Sequence, residues 1–365
     1  MYASDTFRTA PGLHSQYVSE RIITESPKFS TRTFVGQIAD TVKQHAIDLV
    51  MPSFEEVFYL SKHLSDLATP ERYFCTELEV LSQLHNKQLF AELARELGLP
   101  MAETITVTSD DELMEACERF PEFFARAAFS RGGVALLTNT GPLAGSVEMG
   151  DCHPTPDQPW LVQEFVHGVD LCSYSIAHHG RLAAHCTYEH PLTIEHAGGI
   201  VFESIDAPET LDASRRIIEH IGYHGNISFD WMRTDAGEFY LVECNPRPTA
   251  GIFTMESEPF AAAVFEPDFD APYVVPAGNR QQIASAILRD MFREPEDIPE
   301  DLHRLLDGTR DVYFQKGDRL PGLYQVLSYS HVLTFRHRMH VRKHKHSDLM
   351  EAQFFDIDWD GGEID

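Results

Sequence analysis

Four polar residues in the second half of the chain have types and spacing suited to binding a metal and a phosphate. Asp230 precedes a predicted turn, and Glu243, Asn245 and Arg247 follow it at alternate positions. Side chains two residues apart on a β-strand project from the same face. Two carboxylates and an amide oxygen on one face suit a hard cation such as Mg²⁺. The planar guanidinium group beside them suits a phosphate or a carboxylate.

Two short strands are needed to position these side chains. Residues 229–233 and 238–245 are mainly apolar and flank a Thr-Asp-Ala-Gly turn at 234–237, which is a hairpin signal. Asp230 then lies on the strand that faces Glu243. An edge hairpin with a solvated polar face would give a similar pattern. The acids are interleaved with apolar residues, however, so we favour the metal site.

The hairpin resembles the metal-binding hairpin of the ATP-grasp ligases, where an acid and a later Glu-x-Asn-x-Arg run hold two magnesium ions that bridge the ATP phosphates. This resemblance implies that Asp230, Glu243 and Asn245 bind two Mg²⁺ ions, which Mn²⁺ could replace. It also implies a catalytic and substrate-contacting role for Arg247. The resemblance covers roughly residues 84 to 255, because other motifs of the family occur upstream in the same order.

Two cations correspond to the phosphate-contacting lysines of the family. Lys87 opens a predicted helix that runs to Leu97 and stops at Gly98. A lysine at a helix start is often merely solvated, but Asn-Lys here resembles the first phosphate lysine. Arg126, in a strand predicted over 123–128, stands where the family has its second lysine. Arginine keeps the charge and adds a bidentate fork, so we assign Arg126 a nucleotide-binding and catalytic role.

A glycine pair follows the strand that carries this arginine. In the resemblance, Ser130, Arg131, Gly132 and Gly133 form the loop that closes over the phosphates. Glycines free the backbone for close approach, and Arg131 would add charge. Most glycine pairs are simple turns, so the interpretation depends on the position of this pair between two predicted strands.

A second motif resembles the adenine-binding hinge of the family. The apolar strand from Trp160 leads into Glu164, Phe165 and Val166, and Asp170 stands six positions after the glutamate. The resemblance implies that the backbone of Glu164 to Val166 meets the adenine edge and that Asp170 binds the ribose hydroxyls. The alternative is an ordinary strand and turn.

The family resemblance predicts an α/β chain, with an ATP-grasp fold of α+β type preceded by a truncated Rossmann-like domain. We expect a partial first domain over 1–83, the ATP-grasp domain over 84–260 and a helical C-terminal region over 261–365. The first strand of a Rossmann-like domain is not recognisable. Either the chain starts upstream of Met1, or this domain is pared down.

The first region nevertheless shows part of an α/β unit. A helical pattern begins at Phe34, and the apolar run 47–51 predicts a buried parallel strand that ends at Pro52. Glu55 and Glu56 follow, where a strand's carboxyl end opens onto a ligand crevice. We consider them candidate substrate-contacting residues, or equally acids that complement the dipole of the helix they begin.

Composition excludes several classes of partner. The net charge is −28, whereas nucleic acids and anionic membranes are bound by clustered Lys and Arg, so we expect neither partner. The six cysteines are scattered without a Cys-x-x-Cys pair, which predicts buried thiols in a reducing cytoplasm. We see no apolar run of the roughly 20 residues needed to span a membrane and no signal peptide, so a cytoplasmic protein is expected.

Other titratable clusters are not assigned to the site. His185, His190 and His196 lack an accompanying ligand pattern and are expected to be solvated or satisfied in the core. The basic, histidine-rich segment 335–346 precedes an acidic end at 356–365. We expect this segment to neutralise the acidic end, within one chain or across a homodimer, in preference to binding a polyanion.

The resemblance implies an ATP-dependent ligase acting on a small-molecule carboxylate and an amine. The carboxylate would be phosphorylated to an acyl phosphate, which the amine or a similar nucleophile would attack, with release of ADP and phosphate. An enzyme that runs only the phosphorylation step belongs to the same class. The alternative is a non-catalytic, nucleotide-binding regulatory module. Arg126 and the missing first strand favour that alternative, and the intact metal set disfavours it.

Overall fold

The computed structural model describes residues 1–130, 136–194, 198–266, 268–293, 308–341 and 354–365, together with 302, 305 and 306. The chain divides into two compact units, one combining Met1–Tyr73 with Arg280–Asp365 and the other comprising Phe74–Asn279. Both units mix helices and strands, so the predicted α/β class is confirmed. Among the described residues, no helix has both the length and the apolar character needed to cross a bilayer.

The first unit is made of short strands and helices. Its elements are β1 (Tyr2–Asp5), β2 (Glu20–Ile23), α1 (Thr31–His45), α2 (Glu56–Lys62), β13 (Arg280–Gln282), α8 (Ala284–Arg293), β14 (Arg310–Asp311) and α9 (Leu320–Val341), with 3-10 turns at Pro11–His14, Leu64–Asp66 and Pro70–Arg72. β1 pairs with β2 and β13 pairs with β14, both in parallel. The helices predicted on either side of residues 47–51 are confirmed as α1 and α2.

The strand predicted over 47–51 is wrong. In the part of the chain that the structure describes, this run makes only an isolated parallel bridge between Val50 and Tyr73. Its apolar side chains are half-buried, and Asp48 within it is exposed. A buried parallel strand needs a partner on its hydrogen-bonding edges and cover on both faces, and this run has neither along its length. A Rossmann-like first domain therefore stays a prediction.

The acidic end of the chain packs within this unit. The Thr6 hydroxyl donates to Asp356 at 2.7 Å, and Lys28 pairs with Asp358 at 2.9 Å. The backbone N–H of Trp359 donates to the Glu55 carboxylate at 3.0 Å. The basic segment 335–346 was expected to neutralise this acidic end, but most of its side chains are outside the part of the chain that the structure describes. The contacts that the structure does show come from the N-terminal part of the chain.

The smaller sheet of the second unit is antiparallel, in the order β3-β6-β4-β5. Its strands are β3 (Thr104–Val107), β4 (Phe123–Ala127), β5 (Leu136–Thr138) and β6 (Trp160–Glu164). One face is covered by α5 (Asp110–Arg119), whose Leu113 and Cys117 join Val107, Phe123 and Val162 in a buried cluster. This core holds β4 and β6, which carry Arg126 and the predicted hinge.

The larger sheet of the second unit runs in the order β11-β10-β7-β8-β9, with antiparallel neighbours, and β12 pairs in parallel with β8. Its strands are β7 (Val169–His178), β8 (Arg181–Ile194), β9 (Gly198–Ile205), β10 (Gly225–Arg233), β11 (Phe239–Asn245) and β12 (Tyr273–Val274). The predicted hairpin is therefore formed by β10 and β11, the first two strands in this order.

Helices flank the two sheets. They are α3 (Leu78–His85), α4 (Lys87–Glu96), α6 (Pro208–Ile221) and α7 (Ser257–Phe265), with 3-10 turns at Met149–Asp151 and Ala250–Thr254. α6 begins with proline, which suits a first helical turn, and ends at Gly222 in the left-handed conformation, with φ of 63°. Its Ala213, Ile217 and Ile218 are buried, as expected for a helix that covers a sheet.

A buried histidine links this helix to the larger sheet. His185 on β8 is 1% exposed, and its ring nitrogens lie 2.9 Å from Ser175 Oγ and 3.0 Å from Thr187 Oγ1. Thr187 in turn bonds Thr210 on α6. The expectation that His185 is satisfied in the core is therefore confirmed. Burial, with a smaller contribution from the charge of Arg215, lowers the pKa of His185 to about 3.

This histidine should make the fold sensitive to acid. Its pKa is about 6.5 in an unfolded chain, so the unfolded state takes up a proton below that pH while the folded state stays neutral. Stability is thus complete above pH 6.5 and is lost as the pH falls. We expect His185 to lower the unfolding free energy by about 2 kcal/mol between pH 7 and pH 5. Urea unfolding at both pH values checks this, and His185→Gln should lose less stability over the same interval than wild type.

Candidate active site

The β10–β11 hairpin brings the three predicted metal ligands together. Asp230 and Glu243 are directly opposed, with a register irregularity just after Asp230, and Ser228 is opposed to Asn245. Asn245 Nδ2 donates to Asp230 Oδ2 at 3.2 Å and to Glu243 Oε1 at 3.4 Å. The two carboxylates and the amide therefore form one contiguous polar cluster.

Alternation along β10 explains why Asp230 points into this cluster. Its neighbours Phe229 and Trp231 are 0% and 2% exposed and project to the other face of the strand. The indole of Trp231 donates to Ser173 Oγ at 2.9 Å, which fixes the ring in that core. At the far end of the hairpin, Gly237 adopts a φ of 82°, which a turn residue with a side chain would rarely do.

Both predicted phosphate cations lie against Glu243. Arg126 Nη1 is 2.5 Å from Glu243 Oε2, and Arg126 Nη2 donates to the Val242 carbonyl at 3.0 Å. Lys87 Nζ is 3.6 Å from the same carboxylate oxygen and also donates to the Ser130 carbonyl. The structure thus brings Lys87 and Arg126 to the Glu243 carboxylate of the polar cluster, with Ser130 in contact with Lys87.

A helix cap sets the position of Lys87. The Asn86 side chain accepts hydrogen bonds from the backbone N–H groups of Gln88 and Leu89 at 2.9 and 3.1 Å. This is an N-cap, typically worth about 1 kcal/mol, and it makes Lys87 the first residue of α4. The helix buries Phe90, Leu93 and Ala94, so the lysine is held at a fixed, buried helix end. The predicted helix over 87–97 is confirmed.

The site couples several buried charges. Burial lowers the pKa of Lys87 to about 8, against the opposing effect of Glu243. Burial and the charge of Glu243 raise the pKa of Asp230 to about 8. Burial also favours the neutral form of Glu243, but the charges of Lys87 and Arg126 outweigh it and hold its pKa well below the usual range. Glu243 is therefore the fixed anion of the site.

The donor set suits a hard divalent cation. Two carboxylates and an amide converge. Burial and the charge of Glu243 raise the pKa of Asp230, and a cation bound there would oppose both effects. The described residues contain no group of three His, Cys, Asp or Glu side chains able to hold a metal, so the set depends on Asn245. The Asn245 oxygen accepts from Arg247 Nη2 at 3.2 Å, and a half-turn of the amide would direct it at a metal.

The predicted adenine hinge begins at Glu164, the last residue of β6. The N–H of Glu164 donates to the Glu103 carbonyl at 3.0 Å, and the N–H of Phe165 donates to the Glu122 carbonyl at 3.1 Å. Both amides are thus engaged within the protein. The base contact implied by the resemblance falls to the amide of Val166 and to the carbonyl groups of this stretch, and it stays a prediction.

A close approach of two backbones positions the residues after the hinge. A Cβ at Gly168 would overlap the carbonyl oxygen of Arg233 at the end of β10, so glycine is required there. Asp170 follows at the start of β7, exposed and opposed to Met232, while Cys172 is opposed to Asp230. Asp170 therefore lies on the same sheet face as Asp230, displaced along the strand direction by two residues, or about 7 Å.

Sequence reasoning missed Cys172 and left His190 outside the site. Cys172 Sγ lies 3.2 Å from Asp230 Oδ1 and 3.4 Å from His190 Nε2. The thiol is buried beside an acid, and both effects raise its pKa well above the usual value, so it acts here as a neutral donor. Alternation from Asp170 along β7 could have placed Cys172 on this face, but only once the pairing of β7 with β10 is known.

The remaining predicted residues are placed as follows. Arg247 is half-buried and donates to the Asn245 side chain, beside the polar cluster of Asp230, Glu243 and Asn245. Glu55 and Glu56 belong to the first unit, where Glu55 binds the Trp359 amide and Glu56 accepts from Ser53 N–H at 2.6 Å. Arg131, Gly132 and Gly133 lie outside the described residues, and so does His196.

The resemblance to the ATP-grasp superfamily is confirmed, because the relatives in sequence and the neighbours in structure are ATP-grasp enzymes. No family model matches the chain.

Individual relatives are distant. The chain is 25% identical, over 253 residues, to the arginine-specific carbamoyl phosphate synthase large chain of Schizosaccharomyces pombe mitochondria. The match covers 64% of this chain and 20% of that protein, so the chain spans about a fifth of the length of this relative.

Solved structures share the fold at low identity. N5-carboxyaminoimidazole synthetase from Staphylococcus aureus, complexed with ADP, superposes with a TM-score of 0.55 at 14% identity, covering 75% of this chain and 72% of that one. The biotin carboxylase domain of Hydrogenobacter thermophilus 2-oxoglutarate carboxylase, a dimer with MgADP and bicarbonate, gives 0.54 at 12% identity, covering 70% and 62%.

Proposed function

We propose that the second unit is the catalytic core of an ATP-dependent ligase that activates a small-molecule carboxylate and joins it to an amine. The observation that carries this proposal is the cluster around Glu243. Asp230 and Asn245 adjoin Glu243 on the hairpin, and Lys87 and Arg126 contact its carboxylate from other elements. The other two proposed metal ligands and the two proposed phosphate-binding cations therefore all adjoin Glu243.

The residues of the chain have distinct roles in this proposal. Asp230, Glu243 and Asn245 would hold Mg²⁺, in two ions as the family resemblance implies, or Mn²⁺ in its place. The metal would supply positive charge that neutralises the phosphates during transfer of the γ-phosphoryl group. Lys87 and Arg126 supply fixed positive charge to the phosphates from a buried position, where such charge is most effective. Arg247 orients the carboxylate substrate beside the cluster.

The chemical steps balance as two displacements. A carboxylate oxygen of the substrate attacks the γ-phosphorus of ATP, and the bond to ADP breaks to give an acyl phosphate. The amine nitrogen then attacks the acyl carbon, the bond to phosphate breaks, and the nitrogen gives up a proton to the departing phosphate. Val166 and Asp170 hold the base and the ribose, and the loop 130–133 excludes the water that would hydrolyse the intermediate.

Substrate-dependent ADP release tests this proposal. We expect purified protein with Mg²⁺ and ATP to release ADP when one acid from a panel of amino acids and dicarboxylates is added, and to make an amide product when a suitable amine is also present. Asp230→Asn should abolish the signal. ATP binding without ADP release across the panel would instead support a non-catalytic, nucleotide-binding module. The biotin carboxylase domain of similar fold is a dimer. Sedimentation analysis of this chain therefore tests the expected homodimer.

A further inference from the structure

The Glu243 carboxylate has two roles that compete with each other: pairing with two cations and binding a metal. Glu243 Oε2 is 2.5 Å from Arg126 Nη1 and 3.6 Å from Lys87 Nζ, and its Oε1 is 3.4 Å from Asn245 Nδ2. The proposed function requires Glu243 to bind a metal and requires Arg126 and Lys87 to bind phosphates. Glu243 cannot give its charge fully to a metal while it neutralises two buried cations.

The ion pairs also bridge separate parts of the second unit. Arg126 lies on β4 of the smaller sheet, Lys87 begins α4, and Glu243 lies on β11 of the larger sheet. The arginine fork spans to β11 at two points, since its second nitrogen donates to the Val242 carbonyl at 3.0 Å. A lysine at position 126 has no such fork and could not make both contacts in this geometry.

Arg126 has further donor capacity in this arrangement. Its side chain is buried, and its Nε is a buried donor without a partner among the described residues. A buried donor without a partner is costly, and a phosphate oxygen could satisfy it. The contact with Glu243 therefore occupies only part of what the guanidinium can bind.

We propose that Glu243 is a latch that couples cation binding to phosphate binding. It holds Arg126 and Lys87 until a divalent cation competes for its carboxylate, and the two released side chains then bind the phosphates of the nucleotide. This inference rests on the proposed function for the identity of its ligands. By linkage, each ligand strengthens the binding of the other by the same factor. The guanidinium group of Arg126, at the position of the family's lysine, is the main group that Glu243 holds and then releases.

The latch predicts an unusual effect of removing its acid. In the absence of metal, Glu243→Gln frees Arg126 and Lys87, so ADP should bind about tenfold more tightly than to wild type, the equivalent of one charge-assisted contact. The enhancement of ADP affinity by Mg²⁺ should disappear in the same variant. Titration calorimetry in chelator and in Mg²⁺ measures both quantities.

A double-mutant cycle separates the latch from a general charge effect. Loss of a negative charge could attract ADP through space, and that effect would persist without the arginine. We expect Glu243→Gln to tighten metal-free ADP binding about tenfold with Arg126 present, and less than about threefold in the Arg126→Gln background. Equal factors in the two backgrounds, or no tightening in either, would overturn the latch.

A charge-conserving variant guards against loss of the fold. Glu243→Asp keeps the negative charge but withdraws it by one methylene from Arg126. The latch predicts tighter metal-free ADP binding here as well, whereas a through-space effect predicts none. Glu189→Gln is the matched control, because it removes a carboxylate paired with Arg233 at 3.6 Å on the same sheet. Its metal-free ADP affinity should equal that of wild type.

A nucleotide-free measurement distinguishes failure of the latch from failure of the proposed function. Mn²⁺ affinity can be measured alone by electron paramagnetic resonance. Arg126→Gln should tighten Mn²⁺ binding fivefold or more by freeing Glu243, while Arg233→Gln should leave it unchanged. If no nucleotide binds under any condition, the proposed function falls and this result still tests the latch. Equal Mn²⁺ affinity in Arg126→Gln and wild type would overturn it.

Discussion

Replacement of Glu243 by glutamine is expected to abolish ADP release while the fold persists. Glutamine keeps the size and one acceptor oxygen, but it removes the fixed anion that holds the metal in the proposed site. Loss of groups that merely support a metal already costs about 10- to 100-fold, so removal of a ligand should reduce turnover at least about 100-fold. Steady-state ADP release under saturating Mg²⁺ and ATP measures the effect.

The matched control again uses the neighbouring ion pair. Glu189→Gln loses a carboxylate from the same sheet, but from a partly exposed pair with Arg233 that lies outside the proposed site. Its turnover should equal that of wild type. Circular dichroism and thermal melting of Glu243→Gln verify that it folds. Turnover like that of wild type in a folded Glu243→Gln protein would remove the metal assignment.

Arg126 is expected to have the next largest effect. Arg126→Lys restores the residue typical of the family, but it gives up the planar fork, including the buried Nε donor that a phosphate oxygen could satisfy. A charge-assisted hydrogen bond is worth about 1.5–3 kcal/mol, so affinity for MgADP should fall roughly tenfold or more. Arg126→Ala should lose more, because the phosphates then lose the charge altogether.

Affinity and melting temperature must be measured on the same two Arg126 variants. A residue that only joins β4 to β11 would lower the melting temperature and leave MgADP affinity unchanged. A residue that binds phosphate lowers the affinity in the order wild type, lysine, alanine. Unchanged affinity in Arg126→Ala would exclude Arg126 from the nucleotide site and leave it with a structural role.

The hairpin was predictable because local rules determine it. The turn at residues 234–237 and the alternation of side chains place Asp230, Glu243 and Asn245 on one face whatever surrounds them. The helix at Lys87 was predictable for the same reason, since its cap and its stop lie within a few residues of it. The fold class followed from the family resemblance of the motifs, which occur in the family's order along the chain.

Contacts between distant segments were not predictable in this way. The pairing of Arg126 with Glu243 joins residues more than a hundred positions apart, and the docking of Trp359 on Glu55 joins residues about three hundred apart. Cys172 enters the site only through the register of β7 against β10. The strand predicted over 47–51 is wrong because an apolar pattern alone does not supply the neighbouring strands that a sheet needs.

A crystal structure with ADP and Mn²⁺, using the anomalous signal of manganese, tests the central claim most directly. We predict manganese peaks in contact with Asp230, Glu243 and Asn245, phosphates in contact with Lys87 and Arg126, and the adenine edge on the backbone at Val166. Manganese bound away from the β10–β11 hairpin, or a base bound away from residues 164–166, would contradict the account.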